Sequence, residues 1–196
     1  ILHDILNTEE KVATVPDDET LRGNIHIKNL SFRFPNTKNY IFKNLNLNIR
    51  EDENIAIVGR SGSGKSTLIK LILDLYPVQE GSVTIGGRDV RKIGNERLRS
   101  HVTYVNQKTT MFEDSIINNI RRGNNATDDE IVSLIEHYNL RSIFSDIEND
   151  IYGNAGVHGG NLSLGMSKTI MILRGILRSK KIIVFDEPLA GLDADT

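Results

Sequence analysis

The chain has 196 residues, 38 % of them hydrophobic and 26 % charged, and its 24 basic against 26 acidic residues leave a net charge of −2. These values suit one soluble globular domain, or one with a small insertion, and with the basic residues scattered they give no electrostatic case for nucleic acid. Cysteine is absent, which excludes disulfides and cysteine-based zinc sites, and no apolar run approaches the ~20 residues that a membrane span needs.

Residues 1–23 are polar and carry turn formers, with Glu9, Glu10 and Pro16 among them, and read as a linker. From Asn24 the pattern changes. Ile25 and Ile27 alternate with polar residues, and Leu45, Leu47 and Ile49 alternate with Asn44, Asn46 and Asn48. Period two predicts half-buried, antiparallel strands. The continuous apolar run Ile55–Val58 predicts a strand buried on both faces. A helix is predicted over 66–75, with Leu68, Leu71, Ile72 and Leu75 on one face and Tyr76–Pro77 as its stop. Val83 and Ile85 precede Gly86–Gly87, a strand entering a tight turn. Val102–Val105 is a further short strand.

Residues 114–144 carry a helical signal in which Thr127 and Glu130 form a capping box, and Ile131, Leu134, Ile135 and Tyr138 keep a 3.6-residue period. A helix follows over 163–178, with Ile170, Leu173 and Leu177 on one stripe, and 181–185 is a second fully buried strand. The order predicts an α/β fold: a mostly parallel central sheet, an N-terminal antiparallel β subdomain and an inserted helical subdomain over about 108–165.

Residues 59–67 read GRSGSGKST, which satisfies GxxxxGK[ST] between a predicted buried strand and a predicted helix. Gly59, Gly62 and Gly64 let the backbone bend around phosphates. The N–H groups of the loop, across Ser61, Ser63 and Thr67, and of the helix start point at an anion. Lys65 reaches the β- and γ-phosphates, and the Ser66 hydroxyl can ligate Mg²⁺. The strand of IIVFDEP (182–188) ends in Asp186 and Glu187, at the sheet edge where open α/β folds bind ligands. Alone, two acids after a strand equally describe a chain returning to solvent. Beside a phosphate loop, Asp186 suits the Mg²⁺ shell and Glu187 a general base for the attacking water.

With these motifs in order, the chain resembles the ATP-binding cassette (ABC) ATPases over residues 24–196, which implies a P-loop NTPase fold. Gly59–Thr67 matches the Walker A loop and Ile182–Glu187 the Walker B strand. Gln107 occupies the Q-loop place, which implies contact with Mg²⁺ and the attacking water. Ala190–Asp193 resembles the D-loop, and Phe34 in FRFP stands where an aromatic stacks on adenine. QKTTMFEDSIINNIRRG (107–123) is similar to the exporter branch, whose nucleotide-binding domains follow a membrane domain.

The stretch NLSLGM (161–166) falls on the signature segment, LSGGQ in the family. The resemblance implies that Ser163 and Gly165 touch the γ-phosphate of ATP bound to an opposite cassette, while Leu164 replaces a glycine and Met166 a glutamine. The implied partners are a second cassette, identical or different, and the transporter's transmembrane domains. Nucleic acid is not expected. The implied place is the cytoplasmic face of a membrane, with this fragment itself soluble. None of the five histidines follows Walker B, so the cassette is expected to be incomplete at its C-terminus. Two alternatives stay open: a soluble ABC ATPase of DNA repair or translation, and a degenerate regulatory cassette that binds ATP and hydrolyses it weakly.

Overall fold

A computed structural model of the chain describes residues 23–106, 110–178 and 181–190. The expected linker therefore lies outside the described residues except for Gly23. So do Gln107 and Gly191–Asp193 of the expected D-loop. The described residues divide into two compact units, the first ending at Val102 and the second beginning at Thr103.

The first unit is built on a four-stranded sheet in the order β2-β1-β3-β4, from β1 (Ile25–Phe32), β2 (Phe42–Ile49), β3 (Glu80–Ile85) and β4 (Arg88–Asp89). Every pairing in it is antiparallel, as the alternation predicts. Ile25 and Ile27 face the core while His26 and Lys28 face outward. Asn29, at φ 51°, then breaks the register, so that Leu30, Ser31 and Phe32 are all buried. Each fully buried Leu, Ile or Phe contributes about 1.5–3 kcal/mol. The β3–β4 hairpin turns at Gly86–Gly87 and pairs Ile85 with Arg88.

Helix α1 (Lys65–Ile72) buries Leu68, Ile69, Leu71 and Ile72. It ends sooner than the apolar spacing predicts. Asp74 turns into the left-handed region at φ 52°, the Leu75 amide reaches back to the Lys70 carbonyl at 2.8 Å, and Leu75 is left exposed. Two short helices, α2 (Val90–Ile93) and α3 (Asn95–His101), complete this unit. The predicted strand over 55–58 does not form: the segment pairs with no described strand, and Val58 is 88 % exposed. An apolar run names no hydrogen-bonding partner, and without the partner neither the strand nor the burial predicted for it forms.

The second unit carries a two-stranded sheet of β5 (Val102–Val105) and β6 (Ile182–Phe185). The expected mostly parallel central sheet is thus seen only in part. Strand β6 is also half-exposed where full burial is predicted, with Ile183 39 % exposed, since a sheet of two strands leaves its faces open. Between the two strands in sequence run α4 (Ile116–Arg121), α5 (Asp128–His137), three single 3₁₀ turns and α6 (Leu164–Leu177). The continuous helical signal over 114–144 is interrupted at Gly123, φ 80°. One apolar cluster joins these helices: Ile116 and Ile120 of α4, Ile131 and Ile135 of α5, Phe144, and Ile170 of α6. The predicted capping box is present, with Glu130 N–H donating to Thr127 Oγ1 at 3.3 Å and Thr127 N–H to Glu130 Oε2 at 2.7 Å.

Candidate functional site

The loop 59–64 leads directly into α1, and Gly64 caps the helix in the left-handed region, φ 98° and ψ 7°. Two constraints select glycine there. The φ disfavours any side chain, and an added Cβ would sit 2.6 Å from Ile41 Cγ2 and 2.9 Å from Phe42 Cζ. Gly62 takes φ 77°, and a Cβ on Gly59 would lie 2.8 Å from Ser63 Oγ. Ser63 N–H donates to the Arg60 carbonyl at 3.1 Å, closing the bend. Lys65 Nζ folds back over it and donates to the carbonyls of Gly59 at 3.1 Å and Arg60 at 3.3 Å. Ser61 lies at the exposed tip, and Ser66 and Thr67 are half-buried in the first turn of α1. The spacing GxxxxGK[ST] thus brings one ammonium, two hydroxyls and a helix N-terminus to a single bend, a cradle chemically suited to a polyphosphate.

Phe34, in the same unit, closes an aromatic trio. Its ring meets Phe32 edge-on at 5.3 Å and Tyr76 edge-on at 5.7 Å, while Phe32 and Tyr76 stack at 5.9 Å. Residue 33 is fixed by Gln79, whose amide accepts from Arg33 N–H at 3.2 Å and donates to the Arg33 carbonyl at 2.9 Å. An open cavity of about 600 Å³ lies between residues 33–38 and Gln79–Glu80, with Phe34 in its wall.

In the second unit, Asp186 leaves β6 with its amide hydrogen-bonded to the Val105 carbonyl at 2.9 Å. It is only 8 % exposed, and its Oδ2 accepts the Tyr104 hydroxyl at 3.0 Å. Glu187 is exposed and turns left-handed at φ 48°, its carbonyl accepting from the Ala190 amide at 3.1 Å. Tyr104 was not among the residues singled out from the sequence. Its partner stands 82 positions away, and no local pattern announces the pair. Among the described residues, no group of three or more acids or histidines could enclose a metal ion.

Ser163 caps the 14-residue helix α6. Its Oγ accepts the Met166 amide at 3.1 Å, and its own amide meets Met166 Sδ at 3.4 Å, so a thioether completes the capping box where a glutamine would ordinarily do so. Gly165 is half-buried beside it, and Leu164 projects with 50 % of its surface exposed.

The segment that follows Gln107 is pinned by side chains that sequence reading also missed. Asn119 is 1 % exposed, and its amide nitrogen donates to the carbonyls of Phe112 at 3.0 Å and Ser115 at 3.0 Å. Its Oδ1 accepts the Phe112 amide at 2.9 Å. Arg174, from α6, donates to the Asn119 carbonyl at 2.8 Å and the Thr110 carbonyl at 3.4 Å. Burial first, and then the charges of Arg178 and Arg122, push the Arg174 guanidinium down to about 10. Asp114 nearby is held below the usual carboxylate range, chiefly by the Asn118 side-chain amide and then by the Ser115 N–H.

Comparison with known proteins gives the family of the chain. Residues 42–190 match the sequence profile of the ABC transporter family. The chain is 32 % identical over 180 residues to the multidrug resistance-like ATP-binding protein MdlB of Buchnera aphidicola subsp. Schizaphis graminum, matching 92 % of this chain and 31 % of that protein. It is 33 % identical over 176 residues to the ATP-dependent lipid A-core flippase of Francisella novicida, matching 89 % of this chain and 29 % of that one. The chain therefore spans about a third of the length of these relatives. Among solved structures, a bacterial Atm1-family ABC exporter with ATP bound superposes with a TM-score of 0.83 at 27 % identity, over 99 % of this chain and 35 % of that one.

Proposed function

The chain belongs to the ABC transporter family, and from that premise we propose that it is the ATP-binding and ATP-hydrolysing cassette of an exporter, turning nucleotide turnover into movement of membrane domains. The observation that carries the reading is the bend 59–64, which enters α1 through Gly64 with Lys65 folded across it. Similarity to an ATP-dependent lipid A-core flippase and to an exporter with ATP bound supports the same reading.

In this reading Phe34 stacks on adenine, and Gly59, Ser61, Gly62, Ser63, Gly64, Lys65, Ser66 and Thr67 surround the phosphates. Ser66, Asp186 and Gln107 would hold Mg²⁺. The donor set fits that ion, because hydroxyl, amide and carboxylate oxygens are hard ligands. When bound, Mg²⁺ neutralises charge on the β- and γ-phosphates. Glu187 withdraws a proton from the attacking water, with Gln107 orienting it. Ser163 and Gly165 offer the start of α6 to the γ-phosphate on a second cassette, so the working unit is a pair of cassettes at the cytoplasmic face beneath transmembrane domains.

The exposed Leu164 favours a second reading, a cassette that binds ATP and turns it over slowly. Binding of a fluorescent ATP analogue with Mg²⁺, and steady-state ATPase, measured on the full chain, test both. Lys65→Ala is expected to weaken nucleotide binding by about tenfold or more. Glu187→Gln is expected to bind normally and lose turnover by about 100-fold or more. Equal turnover with Glu187→Gln removes hydrolysis by this route, and no Mg-ATP binding by the unsubstituted chain removes the reading altogether.

A further inference from the structure

We propose that Tyr104 is a positioning residue for Asp186: its hydroxyl sets the rotation of the buried carboxylate and so fixes where the cation-facing oxygen points. The inference rests on the reading of Asp186 as a Mg²⁺-shell residue.

The backbone brings the two together. Asp186 N–H pairs with the Val105 carbonyl at 2.9 Å, so the residue that leaves β6 stays in register with the end of β5. Tyr104 is one residue back along β5, between the buried Thr103 and Val105, and its own side chain is half-buried. The phenol therefore reaches its partner from a strand and not from a mobile loop. The bond itself is 3.0 Å, from the Tyr104 hydroxyl to Asp186 Oδ2.

Asp186 is 8 % exposed, and a polar group so enclosed needs donors that replace lost water. A carboxylate has one soft rotation, about the bond to its carboxyl carbon. Holding Oδ2 fixes that rotation, and with it the direction of Oδ1. The donor is a neutral phenol, so it holds the carboxylate oxygen without adding a charge of its own. Donors that stand behind a metal-ligating group in this way tune its affinity for the ion, and losing one costs about tenfold or more.

The test is a Mg²⁺ titration of the affinity of the full chain for a fluorescent ATP analogue, with a parallel measurement in EDTA. The midpoint does not depend on the fraction of folded chain. Asp186→Asn should abolish the Mg²⁺-dependent gain. Tyr104→Phe, which keeps the ring and loses the hydroxyl, should raise the Mg²⁺ midpoint about tenfold and leave affinity in EDTA unchanged. Tyr104→Leu should match Tyr104→Phe, and adding Tyr104→Phe to Asp186→Asn should do nothing more. If Asp186→Asn abolishes the gain while Tyr104→Phe stays within about twofold of the unsubstituted chain, the reading of Asp186 stands and the role of Tyr104 is overturned. A midpoint shifted in Tyr104→Leu alone overturns it too, since the ring would then serve packing only. If Asp186→Asn keeps the full gain, the metal reading of Asp186 falls and takes the proposal with it.

Discussion

Arg174 on α6 and Asn119 on α4 hold each other across 55 positions: the guanidinium Nε donates to the Asn119 carbonyl at 2.8 Å, and Nη2 lies 3.5 Å from Asn119 Oδ1. The same asparagine ties down the Phe112–Ser115 turn, so the α6 anchor reaches the segment that follows Gln107. A lysine supplies a point charge and not a fork, and reaches only one of these acceptors. Arg174→Lys should destabilise the chain by about 1.5–3 kcal/mol, read as a lower midpoint in thermal or urea unfolding.

Acid should loosen the same turn. Asp114 has its carboxyl lowered because the Asn118 amide and the Ser115 N–H bond the charged form. A folded-state value below the unfolded one contributes stability that is complete above the ordinary carboxylate range, about pH 4, and is lost as pH falls through the lowered folded value. Asp114→Asn removes this dependence. Unfolding midpoints of the two chains should converge on acidification below about pH 4 and separate above it, with the unsubstituted chain the more stable.

Gly64→Ala tests the bend before α1. The methyl group would meet Ile41 and Phe42 inside 3 Å and must adopt φ 98°. Strain of about 1–3 kcal/mol is expected, together with a loss of nucleotide affinity larger than that caused by Gly62→Ala, where a Cβ meets nothing within 4 Å. Equal losses at the two glycines would show that φ alone matters and that the contacts with Ile41 and Phe42 do not.

The start of α6 separates capping from ligand contact. Ser163→Ala removes the acceptor for the Met166 amide and should cost about 1 kcal/mol of stability. Leu164→Gly removes a side chain that is 50 % exposed, so it should cost no more than about 1 kcal/mol from helix propensity. On the proposed function it should raise ATPase by restoring close backbone approach. Unchanged turnover would tell against the signature role of this helix.

What sequence could and could not reveal follows from the range of the interactions. The phosphate loop was legible because its chemistry lies within nine consecutive residues, 59–67, and the antiparallel strands because alternation over β1 and β2 is local. Thr127–Glu130 was legible for the same reason. The apolar run 55–58 misled, since it names no partner and no strand forms there, and the end of α1 was missed because Asp74 turns left-handed where the apolar spacing continues. Tyr104–Asp186 and Asn119–Arg174 are pairs closed by the fold, and neither residue type advertises its partner. The doublet Asp186–Glu187 was visible as carboxylates, but its contrast was not: one acid is buried and hydrogen-bonded, while the next is exposed in a left-handed turn.

The aromatic trio reaches further than its three rings. Tyr76 lies four residues beyond the end of the helix that begins at Lys65, its amide bonded back to the Lys70 carbonyl at 3.2 Å and the Lys70 ammonium 5.3 Å from its ring centroid. Phe34 is thereby soldered to the tail of the same short rod that carries the phosphate bend at its head. Eight residues of α-helix make that rod about 12 Å long, and its ends cannot shift independently. A nucleotide arriving here would meet a stencil already cut, with the ordering entropy spent during folding and not at the moment of capture.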